Sequence, residues 1–245
     1  MALNPGDMAN TFYEPGDQRA ARVNDLFAGI AGRYDLINDI QSFGLHRLWK
    51  RRLVRLANPR SGDHALDLCC GTGDIALALA RRGADVVGLD FSEPMLAVAR
   101  LKNAKCKMQN AKFFQGDALQ LPFPDNSFEI VTVGYGLRNL ASLDTGLHEM
   151  QRVAKPGGRL LVLDFGKPDN ALWRKLYFGY LRLFVPLLGR MFCGNPAAYA
   201  YILESLKHYP AQRGVAEKMT ALGLKNVRVL NLLGGMMSIN TAEKA

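Results

Sequence analysis

The sequence is poor in the residues that metal centres and disulfide frameworks need. Its four cysteines, Cys69, Cys70, Cys106 and Cys193, form no C-x-x-C pair, and no histidine stands at zinc-ligand spacing from them. Neither a metal site nor the stapled scaffold of a small secreted domain is expected. Apolar runs are short, none reaching the ~20 residues that cross a bilayer. The opening stretch, Met1 to Arg22, is polar, carries Pro5, Gly6, Pro15 and Gly16, and lacks an apolar signal core. These absences predict a cytoplasmic protein. Acidic residues are outnumbered, 22 against 31 basic ones, giving a net charge of +9. Such an excess favours nucleic acid, anionic lipid headgroups or an acidic small molecule as partner, or else serves only to solvate the surface. There is no internal repeat, and no P-loop signature to support a nucleoside triphosphatase.

What is present is enough apolar material for one core: 245 residues, 49% of them hydrophobic. Residues 1–22 are expected to form a loose tail and residues 23–245 a single domain. Val23, Leu26, Phe27 and Ile30 recur at helical spacing, Gly29 and Gly32 interrupt them, and Leu45 to Leu56 forms a basic helix. Residues 23–58 thus read as an N-terminal helical lid. After Asn58-Pro59 the rhythm becomes strand, glycine turn, helix. Strands are predicted at Ala65–Leu68, Val86–Leu89, Lys112–Gln115, Phe128–Val133 and Arg159–Leu163. Helices are predicted over Ile75–Ala80 and from a Ser92 cap to Leu101. Residues 171–210 read as a helical insertion. Val227–Leu233 and Met236–Thr241, around Gly234-Gly235, read as a β-hairpin closing one sheet edge. The expected fold is α/β and Rossmann-like, with a mostly parallel seven-stranded sheet and a C-terminal hairpin.

In such sheets a ligand sits beyond the carboxyl ends of the strands. Three strands end there in an acid or a glycine loop: Asp67 with Gly71 and Gly73, then Asp90, then Asp117. Glycine lets the backbone approach a ligand, and Asp90, about 20 residues beyond the loop, is placed to accept ribose hydroxyls. Gly71-x-Gly73-x-x-Ala76 also satisfies the loose dinucleotide pattern, so an NAD-dependent oxidoreductase is the first rival. Electrostatics disfavours it. Asp74 at a helix N-terminus, with Asp67 close by, would repel a pyrophosphate but attract the ammonium and sulfonium of S-adenosyl-L-methionine. Asp74 alternatively does no more than stabilise its helix dipole.

The chain resembles the ubiquinone/menaquinone biosynthesis C-methyltransferases over nearly its whole length after residue 22. The matching segments are Ala31 to Asp39, Gly44 to Arg51, Leu66 to Asp74, Ala118 to Phe123, Gly136-Leu137-Arg138-Asn139, Tyr201 to Ser205 and Tyr209-Pro210. The first two and the Gly-Leu-Arg-Asn run are specific to this family, whereas the glycine loop is common to class I S-adenosylmethionine methyltransferases. The resemblance implies C-methylation of a polyprenylated quinol ring, with cofactor contacts at Thr72, Asp90, Asp117, Ala118 and Gly134. It also has departures. Cys69-Cys70 replaces a usual Ala-Gly, Gly134-Tyr135 a frequent Ser-Phe, Asp164 the commoner Glu, and Asn240 a frequent His. The Gly134-Tyr135-Gly136 and Cys-Cys variants are closer to naphthoquinone-specific members, favouring demethylmenaquinol over a benzoquinol of the ubiquinone route.

Transfer to an aromatic carbon requires that carbon to be aligned and electron-rich. Arg138 is the expected stabiliser of the ring oxyanion, Asn139 an added hydrogen bond and Asp164 the general base. No histidine is expected as a base; His46 is read as part of the lid and His148 as a surface residue. Leu176, Tyr177, Tyr180, Leu181, Phe184, Leu187, Leu188 and Met191 share one helical face, with Arg174, Lys175, Arg182 and Arg190 opposite and a kink at Pro186. That pattern suits an anionic membrane surface on the inner face, or core packing with snorkelled basic residues. An RNA methyltransferase is the other use of the positive charge, but Gly134 to Leu137 is not the Asn-Pro-Pro-Tyr type of run, and no stacking platform accompanies it. Nucleic acid is not an expected partner. A homodimer is compatible with the sequence, and a non-catalytic binding module would be revealed by failure to bind the methyl donor.

Overall fold

Side chains alternate along the central strands. In β1 (His64–Leu68), Leu66 and Leu68 join one apolar cluster and Ala65 the other. In β4 (Phe128–Gly134), Val131 and Val133 lie on the first side and Ile130 on the second. In β5 (Ala154–Phe165), Leu160 and Val162 oppose Leu161 and Leu163. Strands apolar on both faces belong in the middle of a sheet covered by helices on both sides. Each fully buried Leu or Ile among them contributes roughly 1.5–3 kcal/mol over leaving it exposed.

The computed structural model describes Val23, Asp25 and residues 27–185 and 197–245. The expected tail at 1–22 and the expected face and kink at Pro186, Leu187, Leu188, Arg190 and Met191 lie outside these residues. With β2 (Asp85–Asp90), β3 (Ala111–Gln115), β6 (Lys225–Leu232) and β7 (Met237–Glu243), the seven strands run in the order β3-β2-β1-β4-β5-β7-β6. β1 to β5 are parallel, and β7 is antiparallel to β5 and β6. The C-terminal hairpin exists as expected, but only β6 forms the edge; β7 is inserted between β6 and β5.

Among the described residues the helices include α1 (Tyr34–Ser42), α2 (Leu45–Ala57), α3 (Asp74–Ala80), α4 (Glu93–Cys106), α5 (Leu143–Val153), α6 (Ala171–Gly179), α7 (Ala197–His208) and α8 (Ala211–Ala221). α4 continues past the expected end at Leu101. Ser92 does not cap it through its side chain; instead its N–H donates to Asp90 Oδ1 at 2.9 Å. α8 is a helix the sequence pattern did not announce, packed on β6 and β7 with Val215 and Met219 fully buried. After α6 the chain widens into a π-helical turn, Tyr180–Phe184, which keeps Tyr177, Leu181 and Val185 buried at four-residue spacing.

The strand order reverses between β1 and β4. That switch point opens a crevice at the carboxyl ends of the strands, and α1 and α2 lie beside it.

Candidate active site

β1 and β4 are in register with Asp67 beside Thr132, so two polar side chains meet inside the core. The Asp67 carboxylate accepts the Thr132 hydroxyl at 2.7 Å and the Ala76 N–H at 3.0 Å. Burial pushes its pKa up to about 7 against the pull of these bonds. Asp67 thus ties β1 to β4 and to the first turn of α3, and it lines neither of the two chambers described below. Gly73 has a similar role. Its φ is +81°, and a Cβ there would come within 3.0 Å of Ala99 and the Phe113 ring. It is glycine so that α3, α4 and β3 can close together.

Asp90 ends β2 and receives the Gly71 N–H at 2.7 Å on one oxygen and the Ser92 N–H on the other. Burial raises its pKa, and these backbone bonds oppose the rise. Asp90 and Gly71 line a chamber of about 160 Å³ together with Ser92, Asp117, Ala118, Gly134 and Asn139. Asp117 is fixed by the Leu119 N–H, 2.8 Å from its Oδ1. Among the described lining residues the only charged side chains are Asp90 and Asp117. A chamber walled by two acids and no base suits a ligand with cationic groups and hydroxyls, and it opposes a pyrophosphate.

The charge that matters comes from Asp90 and Asp117 and not from Asp74 or Asp67. Asp74 does not face the chamber: Lys50 Nζ and Lys102 Nζ each lie 2.7 Å from its carboxylate. Burial alone would raise its pKa, but the two lysines hold it well below the usual carboxylate range. Thr72, expected as a cofactor contact, is buried with its hydroxyl donating to Asp35 Oδ1 at 2.7 Å and receiving Lys102 Nζ at 2.9 Å. Lys102 also pairs with Asp35. Asp35 belongs to α1 and Lys50 to α2, so this charged cluster fastens both helices over the glycine loop.

A second chamber of about 120 Å³ adjoins the first. Its walls are largely aromatic and aliphatic: Phe27, Ile30, Ile37, Trp49, Phe165, Tyr177, Leu181 and Val185 among them. Phe27, Tyr34 and Tyr135 line both chambers and form the partition between them. Tyr135 holds that position at φ +63°, a left-handed conformation that is costly for a non-glycine residue. Its N–H donates to Leu163 O at 2.7 Å. Its carbonyl accepts Arg138 Nη1 at 2.6 Å and Asn139 Nδ2 at 3.3 Å. The flanking glycines are required, since a Cβ on Gly134 would lie 2.3 Å from Ile75 Cδ1 and one on Gly136 2.3 Å from Cys69 Cβ.

Arg138 lines the second chamber, its guanidinium carbon 4.6 Å from the centre of the Phe165 ring. Asp164 lies behind it, away from both chambers. Its Oδ1 accepts Arg138 Nη1 at 2.7 Å and the Phe165 N–H at 2.8 Å, and its Oδ2 accepts the Arg138 N–H at 3.2 Å. A carboxylate committed in this way to a buried cation is not placed to take a proton from a ligand, so the expectation that Asp164 acts as the general base is corrected. Asn240 is likewise structural, donating to Gln212 O at 2.8 Å in the core. His148 is exposed on α5, as anticipated.

Of the sequence-derived candidates, the structure brings Gly71, Asp90, Asp117, Ala118, Gly134 and Asn139 to the first chamber and Arg138 to the second. Asp67, Thr72, Gly73 and Asp164 stand behind the walls. Sequence reasoning missed Tyr34 and Tyr135 as the partition. The family-specific runs that contain Tyr34 and adjoin Tyr135 were the available signal. Nothing in the spacing pointed to Lys50 and Lys102 as partners of Asp74. Cys69, Cys70 and Cys106 are free thiols, and no cluster that could hold a metal occurs among the described residues.

A model of the ubiE/COQ5 methyltransferase family matches residues 16–244. The ubiquinone/menaquinone biosynthesis C-methyltransferase UbiE of Azotobacter vinelandii is 40% identical over 234 residues, covering 94% of this chain and 92% of its own length. Its namesake from Pseudomonas entomophila is 40% identical over 234 residues, covering 94% and 91%. A SAM-dependent methyltransferase of Thermotoga maritima aligns with TM-score 0.65 at 17% identity, over 90% of this chain and 99% of that one. Another from Aquifex aeolicus aligns with TM-score 0.61 at 18% identity, over 86% and 98%. At these identities the solved structures speak to the fold, which is the class I methyltransferase arrangement.

Proposed function

The chain belongs to the ubiE/COQ5 methyltransferase family, and from that premise we propose that it methylates a ring carbon of a polyprenylated demethylnaphthoquinol, converting demethylmenaquinol to menaquinol. It is an S-adenosyl-L-methionine-dependent C-methyltransferase of quinone biosynthesis. The observation that carries the proposal is the pair of chambers, one acidic and one apolar, meeting at a shared aromatic partition.

Asp90 and Asp117 would hold the donor's hydroxyls and cationic groups, with Gly71, Ala118 and Gly134 allowing close backbone approach. When bound, the donor supplies an electrophilic methyl group whose bond to sulfur breaks as the ring carbon takes it. Tyr34, Tyr135 and Phe27 set the line of approach between the two ligands. Arg138 would lie beside the ring oxygen as it gains negative charge, lowering that hydroxyl's pKa. Asp164 holds Arg138 in place, and Asn139 steadies the turn through the Tyr135 carbonyl. The glycine-tyrosine-glycine turn and the paired cysteines, features closer to naphthoquinone-specific members, support a naphthoquinol over a benzoquinol. Purified enzyme offered both demethylated quinols with S-adenosylmethionine should give the methylated naphthoquinol by mass. A product from the benzoquinol alone contradicts the assignment.

Peripheral contact with an anionic membrane belongs to the same reading. Tyr177 and Leu181 of the expected apolar face turn inward to the second chamber, while Leu172, Leu176 and Leu183 are exposed by 57–74%. Phe43 is exposed nearby, since Tyr180 donates to Gln41 O at 2.7 Å. Arg47, Arg51 and Arg182 are exposed as well. No described helix is long and apolar enough to cross a membrane. Flotation with anionic vesicles at low salt, and not with neutral ones, is the expected result.

A further inference from the structure

Buried polar atoms without partners are rare, because each costs the loss of its bonds to water. Among the described residues, such atoms include Gln41 Nε2, His46 Nδ1 and Tyr135 Oη, and all three residues line the apolar chamber. Unpartnered groups on residues that line one cavity point to a ligand with polar atoms of its own.

His46 stands apart within this set. Its side chain is 4% exposed, and its Nε2 lies 2.8 Å from Asp39 Oδ1. Arg47 foremost, with His46 also contributing, holds the Asp39 carboxyl down at about 2, so Asp39 is ionised and can only accept. The proton of a neutral His46 therefore sits on Nε2, and the lone pair is left on Nδ1. Burial foremost, then Lys50, lowers the His46 pKa, while Asp39 and Asp74 oppose. The imidazole is neutral at neutral pH. The other titratable groups on the chamber wall are Arg138 and tyrosines 34, 135, 177 and 180. Burial raises the last three of these tyrosines, and no Asp or Glu is among the described lining residues.

Resting on the quinol reading above, we infer that His46 is the general base, oriented by Asp39, and that its Nδ1 takes the ring hydroxyl proton. The O–H bond breaks, the proton moves to Nδ1, and the electron pair passes into the ring, whose carbon then takes the methyl group. The hydrogen on that carbon leaves as a proton to a solvent water molecule, its bonding pair restores the aromatic ring, and the imidazolium returns its proton to the oxygen. One proton is released per turnover and His46 ends neutral.

The test starts with wild-type enzyme turning over a short-chain demethylnaphthoquinol. His46→Gln should lower kcat by about 100-fold or more, with the KM of both substrates within about threefold of wild type. The wild-type acid limb, lying below the ordinary imidazole range, should vanish, and variant activity should climb with pH as the hydroxyl ionises unaided. Asp39→Asn, which can place the proton on Nδ1, should fall by about 10-fold or more with donor affinity unchanged. Independently of activity, 15N spectra of the wild type should show the neutral Nε2–H tautomer at pH 7. Retention of half the kcat or of the acid limb in His46→Gln, or an Nδ1–H tautomer at pH 7, overturns the inference while leaving the function standing. Absence of quinol methylation by the wild type overturns the function and this inference with it.

Discussion

The two chambers are built on different principles. The acidic chamber, proposed above for the donor, takes Asp90 and Gly134 from strand ends and Gly71 and Asp117 from the short loops that follow strands. The apolar chamber, proposed above for the acceptor, sets Tyr135, Arg138 and Phe165 against α1, α2, α6, the π turn and Met236-Met237, pieces drawn largely from both ends of the chain. The first rests mainly on the strand ends, with Phe27 and Tyr34 of the lid closing one side. The second exists only when the helical lid is fastened, and the Asp35, Thr72, Asp74, Lys50 and Lys102 cluster is the fastening.

The comparison breaks most visibly at Arg138. Arg138→Ala should strand the Asp164 carboxylate in the core and destabilise the protein by about 3–5 kcal/mol in urea unfolding. Asp164→Asn on that background should recover part of the loss. A wild-type midpoint in Arg138→Ala would mean that the pair does not support the acceptor wall.

A smaller effect should appear beneath the donor loop. Burial pushes the Asp67 pKa up to about 7 from the ordinary 3.8, so the folded state binds an extra proton between those values. The stability contributed by that proton is complete below pH ~4 and is lost as pH rises through ~7. Asp67→Asn, which mimics the protonated form, should gain on wild type by the order of a few kcal/mol between pH 4 and 8. Parallel pH–stability curves would contradict this.

The smallest change is expected at the partition. Removing the orphaned hydroxyl with Tyr135→Phe should leave the unliganded fold unchanged or stabilise it by about 1 kcal/mol, read as a higher Tm. Destabilisation of that size would show that the hydroxyl has a structural partner.

Much of the donor side was legible in the sequence because strand ends obey a short period. Alternating Leu66, Leu68 and Ala65 locate β1, and the glycines and acids that follow must then lie at the crevice. Side-chain direction was less legible. Thr72 and Asp74 sit beside the loop, yet they turn away to residues of the lid and of α4 that lie 24 to 37 positions distant. The Arg138–Asp164 pair spans 26 residues, so reading each alone cast Asp164 as a base when it is a counter-ion. His46 was set aside because it has no triad-like company in the sequence. Its partner Asp39 is seven residues away across the turn between α1 and α2, a proximity that only the helix–helix packing creates.

The central claim is that donor binding belongs to the acidic strand-end chamber and is separable from the acceptor wall. Calorimetric titration of S-adenosylmethionine into wild type, Asp90→Ala and Tyr135→Phe tests it most directly. Asp90→Ala should weaken binding by about 100-fold or more, whereas Tyr135→Phe should stay within about threefold of wild type. Equal affinity in wild type and Asp90→Ala, or NAD binding in place of the methyl donor, would contradict it.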